Sequence, residues 1–309
     1  MTRHLSISHP DAYAAWRASK LSDYPRNPSA LAVPVADLAA LSDHELVAIR
    51  QRIAKTNMAL VRCGDPTQVT PARMLALGRR LGLHRLDDNP CADAQAVSHL
   101  QVASASDTAE FIPYTNRALG WHTDGYYNPP DRQVRAWMLL CVRAAASGGE
   151  NRMLDHEIAY IRLRDRDPAL IEALTAPDAC CIPAHVKDGT ELRPASVGPV
   201  LSVRDGALHM RYTDRTRSVE WRRDATLDAA REALRLLFSK GDDYMFRFRL
   251  QPGDGLISNN VLHDRAAFSD DPKAPRLLYR ARYLDRVKGP KQDGKRGHDS
   301  PADPDDDHR

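Results

Sequence analysis

The chain has 309 residues and a formal net charge of +3, from 44 Lys plus Arg against 41 Asp plus Glu. Hydrophobic residues make up 42% and charged residues 28%, a globular composition that excludes general disorder. The charge balance argues against a dedicated nucleic-acid binder, although the basic side consists of 36 Arg and only 8 Lys. No stretch approaches the ~18 consecutive apolar residues of a membrane span. The polar opening, Met1 to Lys20, has no apolar signal core. The five cysteines are odd in number and form no CxxC pair, so a reduced, cytoplasmic protein is expected rather than a disulfide scaffold or zinc ribbon.

In chain order, Ser42-Asp43-His44-Glu45 is a capping box that predicts a helix to about Ala54. Met58 to Arg62 predicts a short strand, and Pro71 behind Thr70 opens a second helix ending near Gly82. From about residue 120 the texture changes to short apolar runs: Ala136–Val142, Val197–Val203, Tyr244–Leu250, Gly255–Ser258 and Leu277–Tyr283. Gly, Pro and Asp turns separate them, which is the pattern of an all-β sandwich or jelly roll. Helices are expected after Asp155 up to Leu163 and from about Leu227 to Ser239. The tail from Lys288 to Arg309 has no apolar residue larger than Ala and is expected to be disordered. A single domain over 1–287 is expected, with a helix-and-strand part to about 110 and a β core from about 111.

Trp121-His122-Thr123-Asp124-Gly125 carries the most information. On an extended strand, residues i and i+2 project from one face, so His122 and Asp124 can chelate one metal. Leu262-His263-Asp264-Arg265 offers a third ligand, His263, from a distant strand. Two His and one carboxylate on one face of an octahedral Fe(II) leave positions for an oxo-acid cosubstrate and dioxygen. Taken alone, an HxD tripeptide is a weak signal and reads as a His–Asp pair on a turn.

Downstream, Arg276, Arg280 and Arg282 share a strand face by their even spacing. A guanidinium inside a barrel needs an anion, because an unpaired buried charge is costly. A dicarboxylate held by iron at one end and by Arg at the other satisfies that need. The competing reading places these arginines on an exposed edge or against local acids such as Asp285.

Together these residues resemble the Fe(II)- and 2-oxoglutarate-dependent dioxygenases of the taurine dioxygenase (TauD/TfdA) type. The matching elements are Trp121-His122-Thr123-Asp124, Ser147-Gly148-Gly149-Glu150-Asn151 with Asp155, Pro252-Gly253-Asp254, Asn260, His263, and Arg276 with Arg280. The opening from Leu41 to Leu83 is also similar, and the resemblance runs over roughly 30–287. It implies a mainly β fold with α insertions: a double-stranded β-helix (jelly roll, cupin-like) core preceded by N-terminal helices. It further implies His122, Asp124 and His263 as iron ligands and Arg276 as the clamp on the distal carboxylate of 2-oxoglutarate. Asn151 falls where relatives often place a Thr that reaches the same cosubstrate, and Arg280 falls where some relatives hold an anionic group of the prime substrate. Asn259-Asn260 stands in place of the usual acid-Asn pair. The implied reaction consumes 2-oxoglutarate and dioxygen, releases succinate and CO2, and hydroxylates a C–H bond; the intact Asp124 favours hydroxylation over halogenation.

The substrate is less legible. Tyr114-Thr115-Asn116 and Tyr126-Tyr127-Asn128 flank the iron strand as pocket loops, and Tyr126 is a candidate substrate contact. His209, Arg211 and Thr213 are placed on one strand face, and the basic segment 211–223 reads as a solvated loop or a lid. Arg280 and Arg211 together suggest a small molecule with an acid group: an amino acid, a sulfonate or an aryl-oxy acid. His156 and His185 read as structural or surface residues. The alternatives are an oxygenase acting on a macromolecule and a non-catalytic jelly-roll binding protein. No nucleic acid or membrane partner is expected, and a homo-oligomer is compatible with the family.

Overall fold

The computed structural model describes residues 3–88, 91–102 and 111–290. The expected tail therefore lies, from 291 onward, outside the described residues. The chain is mostly β with several helices. The helices are α1 (Pro10–Leu21), α2 (Asp43–Thr56), α3 (Pro71–Arg80), α4 (His156–Arg166), α5 (Pro168–Thr175) and α6 (Ala225–Lys240). The strands of the two larger sheets are β1 (Ala32–Val35), β2 (Met58–Cys63), β3 (Val97–Leu100), β4 (Leu119–His122), β5 (Ala136–Arg143), β6 (Asn151–Leu154), β7 (Phe246–Phe248), β8 (Asp254–Ser258), β9 (Leu262–Arg265) and β10 (Leu277–Tyr283). One sheet has the order β1-β2-β8-β5-β10-β3 and the other β7-β6-β9-β4.

Strand β5 explains how the layers meet. Its side chains alternate, as the two-residue period of a strand requires. Trp137, Leu139 and Cys141 join the core shared with Met153, Leu154 and Leu262 of the smaller sheet. Ala136, Met138 and Leu140 join the core on the other face, under Ile49 and Ile53 of α2 and Met74 and Leu77 of α3. A near-continuous apolar run thus reports a strand buried on both faces. On β10, Leu278 enters the first core and Ala281 and Tyr283 the second. Arg280 and Arg282 have the parity of Leu278, so strand alternation places them on the face toward the smaller sheet.

The local signals act as expected at the N-terminus. Ser42 Oγ accepts the Glu45 N–H while Glu45 accepts the Ser42 N–H, closing the capping box of α2. Thr70 caps α3, and Asp155 caps α4 by accepting the Glu157 N–H at 2.9 Å. Two expectations are corrected. The run Val197–Val203 is not one strand: Ser196–Gly198 pairs with Cys180–Ile182 and Leu201–Arg204 with Ala207–Met210. Gly198-Pro199 breaks it, since Pro has no N–H for a ladder. From Tyr244–Leu250, only Phe246–Phe248 forms strand. Sequence reading also missed α1 and α5, both of which start with Pro in the first turn.

Helix α1 is fastened through a buried ion cluster. Lys20 Nζ lies 2.7 Å from Asp155 Oδ2 and also meets Glu157, while Tyr24 and Asn57 donate to Asp155. Burial pushes the Glu157 carboxyl up, but Lys20 outweighs it and holds it down at about 2. The Lys20→Ala variant should therefore lose about 3–5 kcal/mol in a urea titration, because the buried Asp155 and the half-buried Glu157 lose their cation. A carboxyl held low in the fold stabilises it fully above the ordinary Glu value of about 4.3 and loses that contribution as pH falls toward 2. Glu157→Gln should accordingly flatten the fall in stability below about pH 5, measured by thermal unfolding.

Candidate metal centre

The two distant histidines meet on one rung. His263 of β9 pairs directly with His122 of β4 across the antiparallel ladder, and their ring centroids are 4.2 Å apart. Each ring is turned the same way. His122 Nδ1 lies 2.9 Å from Gly120 O, and His263 Nδ1 lies 2.9 Å from Val261 O. A carbonyl only accepts, so each Nδ1 carries a proton, which leaves Nε2 as the ring nitrogen that can offer a lone pair. Burial, then the neighbouring His122, push His263 down to about 3, so its ring is neutral near pH 7.

Asp124 sits just past the end of β4, in a turn rather than on the extended strand that the HxD spacing suggested. Gly125 follows with φ of 64°, in the left-handed region that favours glycine. The Asp124 backbone is clamped by one side chain: Asn260 Oδ1 accepts its N–H at 2.8 Å, and Asn260 Nδ2 donates to its carbonyl at 2.9 Å. Among the described residues, His122, Asp124 and His263 are the one group whose ligand atoms all converge, within 4.8 Å of one another. Two imidazoles that present Nε2 and a carboxylate fit a divalent iron. Burial alone would raise the Asp124 carboxyl; Arg280, His122 and His263 outweigh it and hold it well below the carboxylate range.

Packing fixes these elements. Trp137 lies 4.7 Å from the His263 ring, and Trp121 stacks on Phe238 at 4.6 Å. The segment 211–214 runs along β4, with Thr123 N–H donating to Tyr212 O and Asp214 N–H to Trp121 O. Asp214 Oδ2 accepts the Trp121 N–H at 3.1 Å, and a Cβ on Gly120 would stand 2.5 Å from Asp214 Oδ1. Gly120 thus lets a carboxylate approach the peptide that orients His122.

The arginines divide into three uses. Arg276 is buried over the Phe268 ring, at 4.9 Å. Its backbone N–H donates to Asp270, but its guanidinium has no hydrogen bond or ion pair with any described residue. Burial lowers its pKa, as an unpartnered cation requires. Arg280 lies 3.3 Å from Asp124 Oδ2, and Arg282 pairs with Asp87 and donates to Tyr127 Oη at 2.7 Å. Arg211 departs from the expectation of a substrate contact: its guanidinium donates to the carbonyls of Tyr126 and Ser196, at 2.7 and 2.6 Å, and so braces the Tyr126 turn. Asp285 pairs with Arg85 and not with the strand arginines. Asn151, on β6, is buried and stands opposite Arg265.

Sequence reading missed several residues that shape the site. Arg265 donates to the carbonyls of Thr115 and Arg117 and so anchors the loop before β4. Asp87 joins Arg282 to Asn128, and Arg193 reaches Tyr127 O. The Asn260 clamp was visible only as a motif position, while Asp87 and Asp214 carry no local signal. His156 is buried against Leu208 O and His185 packs against Phe111, so neither joins the metal group. In the basic segment, Arg222 is taken up by Asp178 and Asp224.

A sequence profile described as "Taurine catabolism dioxygenase TauD, TfdA family" matches residues 20–282. The chain belongs to this family. A uridine-5'-phosphate dioxygenase from Amycolatopsis sp is 34% identical over 171 residues, covering 53% of this chain and 60% of that protein. The chain therefore matches less than two thirds of that relative's length. A second, from Streptomyces sp, is 31% identical over 204 residues, covering 64% and 72%. The crystal structure of an asparagine oxygenase with Fe(II), (2S,3S)-3-hydroxyasparagine and succinate superposes with a TM-score of 0.54 at 21% identity, over 78% of each chain. Among the described residues, no helix is long and apolar enough to cross a membrane.

The Gly120→Ala variant, which drives a Cβ against Asp214, should cost about 1–3 kcal/mol in stability. It should also weaken Mn(II) binding about 10–100-fold in a calorimetric titration, by disturbing the carbonyl that orients His122.

Proposed function

We propose that the chain hydroxylates a small molecule bearing an acid group, with succinate and CO2 as coproducts, and that a nucleoside monophosphate is the first substrate class to test. The observation that carries the reading is the convergence of His122, Asp124 and His263, together with a buried Arg276 whose guanidinium has no hydrogen bond or ion pair with a described residue. The likeness to two proteins named uridine-5'-phosphate dioxygenases favours a phosphate as the acid. In this reading His122, Asp124 and His263 hold Fe(II). Arg276 receives the distal carboxylate of 2-oxoglutarate, with Asn151 beside it as a further donor. Arg280 offers positive charge to the substrate's acid group, Tyr126 contacts the substrate from its turn, and Arg211 acts by holding that turn.

The iron, when bound, supplies the activation of dioxygen and the oxidative decarboxylation of 2-oxoglutarate. The chain's own residues do the rest. Two Nδ1–H groups fix the imidazoles, the Asn260 amide fixes the Asp124 backbone, and Arg276 orients the dicarboxylate. The core on which this rests is read as a double-stranded β-helix, supported by two sheets that share one core. Residues 1–287 are read as one catalytic unit, since β1 and β2 complete the same sheet as β5, β8 and β10. Five free cysteines support a reducing, cytoplasmic setting.

The test is a screen for acids that stimulate succinate formation from 2-oxoglutarate: uridine and other nucleoside monophosphates, sulfonates, amino acids and aryl-oxy acids. Stimulation that needs added Fe(II) and stops with chelator is expected; metal binding without turnover for every acid would refute the enzyme reading. Asp124→Ala should abolish stimulated succinate formation, and undiminished turnover would remove it from the ligand set. Arg276→Ala should raise the KM for 2-oxoglutarate by about 30-fold or more, the equivalent of ~2 kcal/mol for truncating one side of a buried charge pair. An unchanged KM would count against the clamp.

A further inference from the structure

The two oxygens of Asp124 face opposite ways. Oδ1 lies 3.4 Å from His122 Nε2 and 3.8 Å from His263 Nε2, on the side where the three donors converge. Oδ2 lies 3.3 Å from Arg280 Nη1 and makes no hydrogen bond to any described group. Asn260 fixes the backbone of Asp124 on its own, so the remaining freedom is rotation of the carboxylate. On the Oδ2 side, the ion pair with Arg280 opposes this rotation. Arg280 is held in place by the middle of β10, where it stands between Leu139 of β5 and Ser98 of β3.

A free carboxylate binds a divalent ion through one oxygen or through both. The choice matters with two imidazoles as the other ligands. One carboxylate oxygen leaves three of the six octahedral positions, while two oxygens leave only two. 2-Oxoglutarate fills two by itself, through its keto and adjacent carboxylate oxygens. A second Asp124 oxygen on the metal would therefore compete with the cosubstrate or with dioxygen.

We propose that Arg280 is a positioning residue that engages the second oxygen of Asp124 and so keeps this residue a one-oxygen ligand. The proposal rests on the triad being the metal site and adds a second duty to Arg280. Its guanidinium is a fork, and Nε is buried without a partner, so one edge serves Asp124 while the other remains for an anion.

The test uses the Mn(II)-loaded protein and two dianions, 2-oxoglutarate and succinate, each titrated by calorimetry. Both carry a distal carboxylate for Arg276, but only 2-oxoglutarate chelates through two adjacent oxygens. In Arg280→Ala, 2-oxoglutarate affinity should fall about tenfold or more while succinate changes less than about threefold, and Mn(II) binding should be no weaker than wild type. Arg280→Lys keeps the charge but not the fork. It should fall between the two, and it carries the comparison if the Ala variant does not fold. Equal loss of both dianions, the signature of a lost positive field, overturns the proposal, as does unchanged 2-oxoglutarate binding. If Asp124→Ala and His263→Ala bind Mn(II) as wild type does, the metal-site reading beneath it fails instead.

Discussion

Two imidazoles offer lone pairs to one point only when the other nitrogen of each is already committed. Here each Nδ1 donates to the carbonyl two residues earlier, and the two residues are opposite partners in one antiparallel pair. Much of the surrounding structure serves this rung. Trp137 closes it from the facing sheet, Asp214 and Gly120 set the peptide behind His122, and Asn260 brings Asp124 to its edge. Second partners of this kind orient metal-binding groups and tune their basicity.

Charge pairing then separates arginines that look alike in sequence. Arg282 is neutralised by Asp87 and holds Tyr127. Arg211, Arg193 and Arg265 spend their donors on backbone carbonyls and fix the loops on either side of β4. Arg280 faces the carboxylate of Asp124. Arg276 is buried over the Phe268 ring, and its guanidinium forms no ion pair with a described residue. Most of these arginines are therefore architectural, taken up by acids or backbone carbonyls.

Some of this was readable from residues alone. The capping box at Ser42, the helix start at Pro71 and the strand Leu277–Tyr283 follow from local rules and appear as expected. The helices α1 and α5 escaped notice because each depends on partners far along the chain: Tyr13 and Trp16 of α1 pack edge-on against Tyr160. The Val197–Val203 run is apolar enough for one strand, but Gly198-Pro199 divides it between two pairings. Lys20 would pass for a solvent-facing residue; its burial is decided by two acids more than 130 positions away.

By itself the sequence determined which chemical groups are available and in what order: an HxD, a distant His, and arginines at even spacing after it. Spacing gives parity, and parity gives a strand face. It does not give distance. Only the tertiary structure decided that His263 would stand opposite His122, that Asp124 would leave the strand for a turn, and that three arginines near the end of the chain would have different partners. Ion pairing and convergence of ligands depend on separations of a few ångström between strands, and those are set by register and packing rather than by any local pattern.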